Sequence, residues 1–179
     1  MTSIIKVDQI QTAAGAAPTA ADLGINTTGT VLQVVSVQMA RGAIDMSSTS
    51  FASTTLSKSI VTKGTNSLVL VTLSGGGWYD NGNPSCTLWV TFQRSISSGA
   101  YTYPMNAYND NYGLIRMSGD GNTWNIKPYS ADLMDQPQVA SGTTIDYRVV
   151  ARTNSVNKPS QFNSSDRGAP VLTLMEIAG

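Results

Sequence analysis

The stretch VLQVVSV at residues 31–37 holds four valines and a leucine in seven positions, a composition typical of a β-strand. β-branched side chains are favoured on the pleated surface of a sheet. Comparable short runs recur along the chain, separated by Gly, Pro and Asn. Their positions predict further strands at 54–61, 67–73, 86–94, 112–117, 144–152 and 171–177. This spacing of short strands predicts an all-β fold, either an antiparallel β-sandwich or a jelly roll.

The segments between these strands predict turns and loops. Residues 63–66, Lys-Gly-Thr-Asn, predict a turn that joins two neighbouring strands. The longest segments without a core pattern lie within 75–84 and 97–143, on either side of the strand predicted at 112–117 in the second case, and we expect them to be surface loops. The single cysteine, Cys86, lies in an apolar run and is predicted to be a buried free thiol.

The first 29 residues differ from the rest of the chain. Ile5 and Val7 alternate with Lys6 and Asp8, which predicts a short strand, and residues 13–17 form a small-residue linker. One helical turn is predicted at about 18–23. We therefore divide the chain into an N-terminal arm, residues 1–29, and a β-sandwich domain, residues 30–179.

The charge content excludes several classes of partner. Only 12% of the 179 residues are charged, and 11 basic residues balance 11 acidic ones. Nucleic acids and anionic membranes bind basic patches, so neither is expected as a partner. No apolar run has the ~20 residues of a membrane span, and no secretory signal is evident, so we expect folding in a cytoplasm. A surface with so few charges indicates that other subunits cover part of it.

Catalysis is not expected from this composition. The chain has no histidine, which removes the base of Ser-His-Asp and Cys-His mechanisms. Ser155 and Lys158 have the spacing of a nucleophile–base pair but fall between predicted strands. Glycoside hydrolysis is the strongest enzymatic alternative, because it needs only two carboxylates. Its candidates all lie in turn-like contexts: Asp80, Asp110, Asp120, Asp132 and Asp135.

No cofactor or resident metal is expected. Zinc sites draw mostly on His and Cys, which this chain lacks or has once. Oxygen-rich loops leave calcium open as an alternative at 80–83, 109–111 and 120–122. None of these segments has the charge or order of a defined calcium loop, so turn formation is the simpler interpretation.

Aromatic residues are concentrated between positions 78 and 129 and alternate with asparagines. Rings that stack on sugar C–H surfaces, with amides that bind hydroxyls, are typical of glycan recognition, and Tyr and Trp also anchor protein interfaces. The alternative is that some of these rings pack in the core or between subunits. The predicted ligand-binding residues are Trp78, Tyr79, Asn81, Tyr101, Tyr103, Tyr108, Asn109 and Tyr112.

Both ends of the chain resemble bacteriophage virion proteins of the tail-fibre-like, trimeric adhesin type. The resemblance lies in residues 3–11, 18–25 and 29–35 at the start, and in 147–152 and 172–178 at the end. It implies a location in the virion, a homotrimer, and attachment to other virion proteins through the arm. Within the arm, the attachment residues are predicted to be Ile4, Ile5, Val7 and Ile10.

Two non-enzymatic functions follow from this resemblance. In the first, the chain is a short tail fibre or receptor-binding protein that contacts a host surface glycan. In the second, it is a capsid decoration, neck or tail protein with an architectural role and no ligand.

Overall fold

The computed structural model describes residues 28–40, 42, 44–75, 85–104, 113–119, 128–154, 160–163 and 169–179. Within these ranges the regular structure consists of strands, and no helix is present. The strands are β1 Val31–Gln38, β2 Asp45–Met46, β3 Ala52–Val61, β4 Leu68–Ser74, β5 Thr87–Ile96, β6 Ile115–Ser118, β7 Ser130–Asp135, β8 Thr144–Thr153, β9 Ser160–Gln161 and β10 Val171–Ile177.

Eight of these strands form two four-stranded antiparallel sheets. The first sheet has the order β1-β10-β4-β7, and the second has the order β3-β8-β5-β6. The short strands β2 and β9 pair separately. The predicted all-β antiparallel sandwich is confirmed.

The pairing follows the winding of a jelly roll. The first of the eight long strands pairs with the last, the second with the seventh, the third with the sixth, and the fourth with the fifth. The chain is therefore one long antiparallel ribbon that is rolled so that its successive pairs alternate between the two sheets, an arrangement of two Greek keys.

The core lies between the sheets and follows the two-residue period of the strands. In β4, Val69, Val71 and Leu73 point inward and are fully buried, and Leu172 and Leu174 of β10 meet them from the adjacent strand. The second sheet contributes Ile145, Tyr147, Val149, Leu88 and Phe92. Burial of each Val, Leu or Ile side chain in this core stabilises the folded state by about 1.5–3 kcal/mol, compared with the same side chain exposed to water.

One end of the core contains charged groups that join the two sheets. Asp135 of β7 is fully buried and forms an ion pair with Arg94 of β5 in the other sheet. The Tyr147 hydroxyl donates to the second oxygen of the same carboxylate at 2.6 Å. Burial, and then the neighbouring Asp135 charge, raise the pKa of Tyr147. Because Arg94 and Tyr147 each contact one oxygen of the carboxylate, the buried negative charge of Asp135 is paired and hydrogen-bonded.

The structure corrects two expectations from the sequence. The stretch 97–143, expected to be loop, contains the edge strand β7, whose Leu133 and Asp135 are buried. Residues 63–66 do turn, but β3 and β4 belong to different sheets, so the turn crosses the sandwich instead of joining neighbouring strands.

The predicted burial of Cys86 is confirmed. The predicted helical turn at 18–23 lies outside the described residues.

Candidate functional site

Two of the predicted ligand-binding residues, Tyr101 and Tyr103, lie within the described part of the chain. The others lie outside it, as do the four predicted attachment residues of the arm. These are Trp78, Tyr79, Asn81, Tyr108, Asn109 and Tyr112 for the ligand, and Ile4, Ile5, Val7 and Ile10 for the virion. Ligand binding by this set stays a prediction.

Tyr101 lies on the outer face of the second sheet and is engaged on two sides. The Arg148 guanidinium lies 3.6 Å from the centre of its ring, and its hydroxyl donates a hydrogen bond to Asp146. That hydrogen bond, together with partial burial and the Asp146 charge, raises the pKa of Tyr101. Gln93 holds Arg148 in place by accepting hydrogen bonds of 3.0 and 2.8 Å from it. One face of the ring is therefore already occupied by a cation.

A shallow polar hollow of about 390 Å³ lies beside Tyr101. Its lining combines the Asp146 carboxylate with Ser59, Ser95 and Ser98. Ser59 donates a hydrogen bond of 2.9 Å to one Asp146 oxygen, and Tyr101 occupies the other. The carboxylate is thus satisfied by the chain itself, and the hollow offers mainly hydroxyl groups to a ligand.

Tyr103 belongs to an aromatic and cationic layer on the same outer face. Its ring meets Phe51 edge to face, with centroids 6.2 Å apart. Arg152 lies 5.5 Å from the Phe51 ring and 4.2 Å from the Trp89 ring, and Arg116 lies over Trp89 at 6.0 Å. Trp89 keeps only 8% of its surface exposed although it points away from the core. The chain's own side chains therefore cover Trp89 on this face of the sandwich.

Several chain segments connect to the sandwich at one end, which we call the loop end. The Gly119 amide donates to the Cys86 carbonyl at 2.7 Å, and the Asn154 side chain donates to the Ser85 carbonyl at 2.6 Å. Residues 85, 119 and 154 border the segments 76–84, 120–127 and 155–159. Three regions that are distant in sequence, one of them containing Trp78 and Tyr79, thus join the fold side by side.

The outer face of the first sheet is open and apolar at one end. Paired positions place Val34, Met175, Leu70 and Met134 in one row across all four strands. The adjacent row contains Val31, Ile177 and Leu68. Val31, Val34 and Met134 are 49%, 52% and 44% exposed. We call these seven side chains the apolar band; it consists of Val31, Val34, Leu68, Leu70, Met134, Met175 and Ile177.

The apolar band has sharp borders. The next row across the same face is polar, with Ser36, Thr173, Thr72 and Asp132. In the sequence, the two valines and Leu70 belong to apolar runs that indicate a second apolar face. No such pattern indicates Met134 or Met175. Only the register of four strands that are distant in sequence brings them into one row. A contiguous exposed patch of this kind marks a protein contact more often than isolated surface hydrophobics do.

Other kinds of site find no support in the part of the chain that the structure describes. No group of three or more His, Cys, Asp or Glu side chains there is placed to hold a metal ion. No helix within the same ranges is long and apolar enough to cross a membrane.

Comparison with known proteins gives distant structural similarities, two of which are described below. No family model matches the chain, and no curated protein matches it. Two crystal structures of a pentameric capsid protein isolated from metagenomic phage sequences are similar to it at 17% identity. The first similarity covers 96% of this chain and 83% of the other with a TM-score of 0.26. The second covers 100% and 81% with a TM-score of 0.27.

The comparison corrects the predicted oligomeric state. Both similar structures are of a pentameric protein, which conflicts with the homotrimer that the sequence resemblance implied, and that prediction is wrong.

Proposed function

We propose that this chain is a non-enzymatic structural protein of a bacteriophage virion, with an architectural role in or on the capsid. In this role it acts by packing against other subunits. The apolar band is the observation that carries the proposal, because a row of aliphatic side chains across a whole sheet is costly to leave in water and is stabilised when a partner covers it.

Three further observations support this role. The jelly roll is a fold that viral capsid domains use, and it offers two broad outer faces for lateral contacts. The two ends of the chain resemble phage virion proteins in sequence. The two outer faces also differ, since arginine side chains cover Trp89 on one face and the apolar band lies open on the other. This difference is expected of a subunit that contacts a neighbouring subunit through one outer face.

Receptor binding by a short tail fibre is the second candidate. The observation in its favour is the loop end, where the segment with Trp78 and Tyr79 joins the sandwich beside two other segments. Loops grouped at one end of a rigid β-scaffold are a common arrangement for recognition. Against it, Tyr101 and Tyr103 are engaged in contacts within the chain.

Immunogold electron microscopy of phage particles whose genome encodes this chain tests both candidates. The antibody is raised against the folded protein, and antibody adsorbed with the same protein serves as the control. We expect label over the capsid. Label confined to the tail or its tip would replace the architectural role with the tail-fibre role. Absence of the chain from purified particles by both labelling and mass spectrometry would reject a virion protein altogether.

A further inference from the structure

The apolar band and the start of β1 lie at the same end of the first sheet. Residues 28–30 extend the ladder with the C-terminus, because the Gly29 amide donates to the Ala178 carbonyl at 2.9 Å and the Ala178 amide to the Thr30 carbonyl at 2.8 Å. Val31, the first residue of β1, already belongs to the apolar band. The N-terminal arm therefore joins the sandwich at the edge of the open apolar surface.

The arm has the chemistry that this surface requires. The apolar band contains no charged side chain, so its complement is apolar and needs no ionic partner. Ile4, Ile5, Val7 and Ile10 place four β-branched side chains within seven residues of the arm. An extended segment with this sequence presents Ile5 and Val7 to a sheet face and turns Lys6 and Asp8, which alternate with Ile4 and Ile10, away from it. Few other segments outside the described sandwich are as rich in aliphatic residues.

We propose that residues 4–10 of one copy cover the apolar band of a neighbouring copy of this chain. The inference deepens the proposed function and rests on it for the statement that the chain works in an assembly. It assigns the occupant of the apolar band and gives the arm a partner within the same protein.

The length of the arm allows residues 4–10 to reach a neighbouring copy. The ladder of β1 with β10 continues to Gly29 and Ala178, so the described chain begins at the end of the first sheet where the apolar band lies. Residues 11–27 can span at most about 60 Å when extended, whereas the eight residues of β1 span about 26 Å. The arm is thus long enough to reach a second subunit. A contact in which the arm of each copy lies on the band of the next copy is head-to-tail, and such contacts generate rings or larger shells.

The first experiment measures self-association of the full chain by light scattering after size exclusion. We expect Val34→Asp to weaken association about ten-fold or more, because it places a charge in the buried contact. Ser36→Asp is the matched control, since it adds the same charge to an exposed position of the same strand in the polar row. Both positions are exposed in the single subunit, and circular dichroism verifies that both variants fold.

The second experiment identifies the occupant by disulfide formation between separately prepared single variants. Ile5→Cys protein is mixed with Val34→Cys protein and oxidised, and we expect a covalent dimer. The pair Ile5→Cys and Ser57→Cys is the control, because Ser57 is exposed on the edge strand β3 of the other sheet. The native Cys86 is fully buried and does not compete.

Each outcome decides the inference. A mixed dimer that forms with Val34→Cys and not with Ser57→Cys supports it. Cross-linking only within one chain, in a variant carrying both cysteines, would show that the arm covers its own band and would overturn it. Absence of any cross-link, or equal association of Val34→Asp and Ser36→Asp, would also overturn it. Immunogold label over the capsid without the mixed disulfide dimer would support the proposed function and overturn the arm contact. A mixed dimer without label over the capsid would support the arm contact and overturn the proposed function.

Discussion

Glu176 is the only glutamate of the chain, and at the residue scale it is the clearest exception to the apolar pattern of the core. It follows Leu172 and Leu174 on the inward side of β10 and is fully buried. Its carboxylate accepts hydrogen bonds from the Lys63 and Gly64 amides at 2.8 and 2.9 Å, and from the Gln33 side chain at 2.5 Å. The residue thereby holds the turn at 63–66 against the first sheet.

Protonation of Glu176 should make the fold sensitive to acid. Burial opposes its ionisation, but the hydrogen bonds from Gly64, Gln33 and Lys63 outweigh burial, and the pKa of Glu176 lies below its ordinary value of 4.5. A carboxylate with a depressed folded-state pKa stabilises the protein fully above its ordinary pKa. That stability is lost as the pH falls through the folded-state pKa.

We expect Glu176→Gln to lower the free energy of unfolding at pH 7 by about 1–3 kcal/mol, because an amide cannot accept at both positions. As the pH falls below 4.5, the free energy of unfolding should also decrease less in the variant than in wild type. Urea titrations between pH 3 and 7 measure both effects. Asp132→Asn, at an exposed position of β7, is the control and should follow the wild-type profile. Parallel profiles for Glu176→Gln and wild type would contradict this assignment.

At the element scale, β3 contains an irregularity with a measurable cost. Its register against β8 shifts between Ser53 and Ser57, and Thr55 within this bulge has a φ of 66°. A β-branched residue rarely adopts a positive φ, because its Cβ approaches the following carbonyl. Thr54 and Leu56, which flank Thr55, both point inward, and the Thr54 hydroxyl donates to the Val149 carbonyl at 2.9 Å.

Thr55→Gly should stabilise the protein by about 0.5–1 kcal/mol. The substitution removes a backbone strain of roughly 1–2 kcal/mol, and the extra chain entropy of glycine offsets part of this gain. Ser57→Gly, two residues further along the same strand and equally exposed, has no strain to relieve and should destabilise by about 0.5–1 kcal/mol. Urea denaturation compares the two variants, and effects of the same sign would refute the strained bulge.

At the scale of the whole molecule, the ribbon places the two ends of the described chain next to each other. β10 lies between β1 and β4 in the first sheet, so the last strand of the sequence is central to it. β1 lies at the edge of that sheet, with the arm attached to it. The two termini therefore differ in their importance for folding.

Deletion of residues 1–27 should leave a folded sandwich, because the ladder with the C-terminus begins at Gly29. We expect a cooperative urea transition, since both four-stranded sheets and the core between them are retained. Deletion of residues 171–179 is the contrasting variant. It should abolish the transition, because both ladders of β10 are lost together. A loss of cooperative unfolding in the first deletion would show that the arm belongs to the core.

How far the fold could be predicted differs from strand to strand. β1, β4, β8 and β10 could be predicted because their apolar residues alternate or run together within a few positions. β7 was missed, since its six residues include two aspartates, and its core-facing residues are Ala131, Leu133 and Asp135, of which only Leu133 is a large apolar residue. Asp135 could not be recognised as a core residue, because its partner Arg94 is 41 positions away in sequence. Local pattern carries no information about such a distant pairing.

Local sequence was sufficient for the class of fold and for the low surface charge, because both follow from the composition and period of short segments. The placement of the candidate contact surfaces was not open to such reasoning. Val34, Leu70, Met134 and Met175 form one row only because four strands pair in a particular register. In the other sheet, the same rolling of the ribbon brings Arg148 over Tyr101 and Arg152 over Trp89. Whether an apolar or aromatic side chain ends in the core, under a neighbouring side chain or in an open band depends on contacts between distant residues.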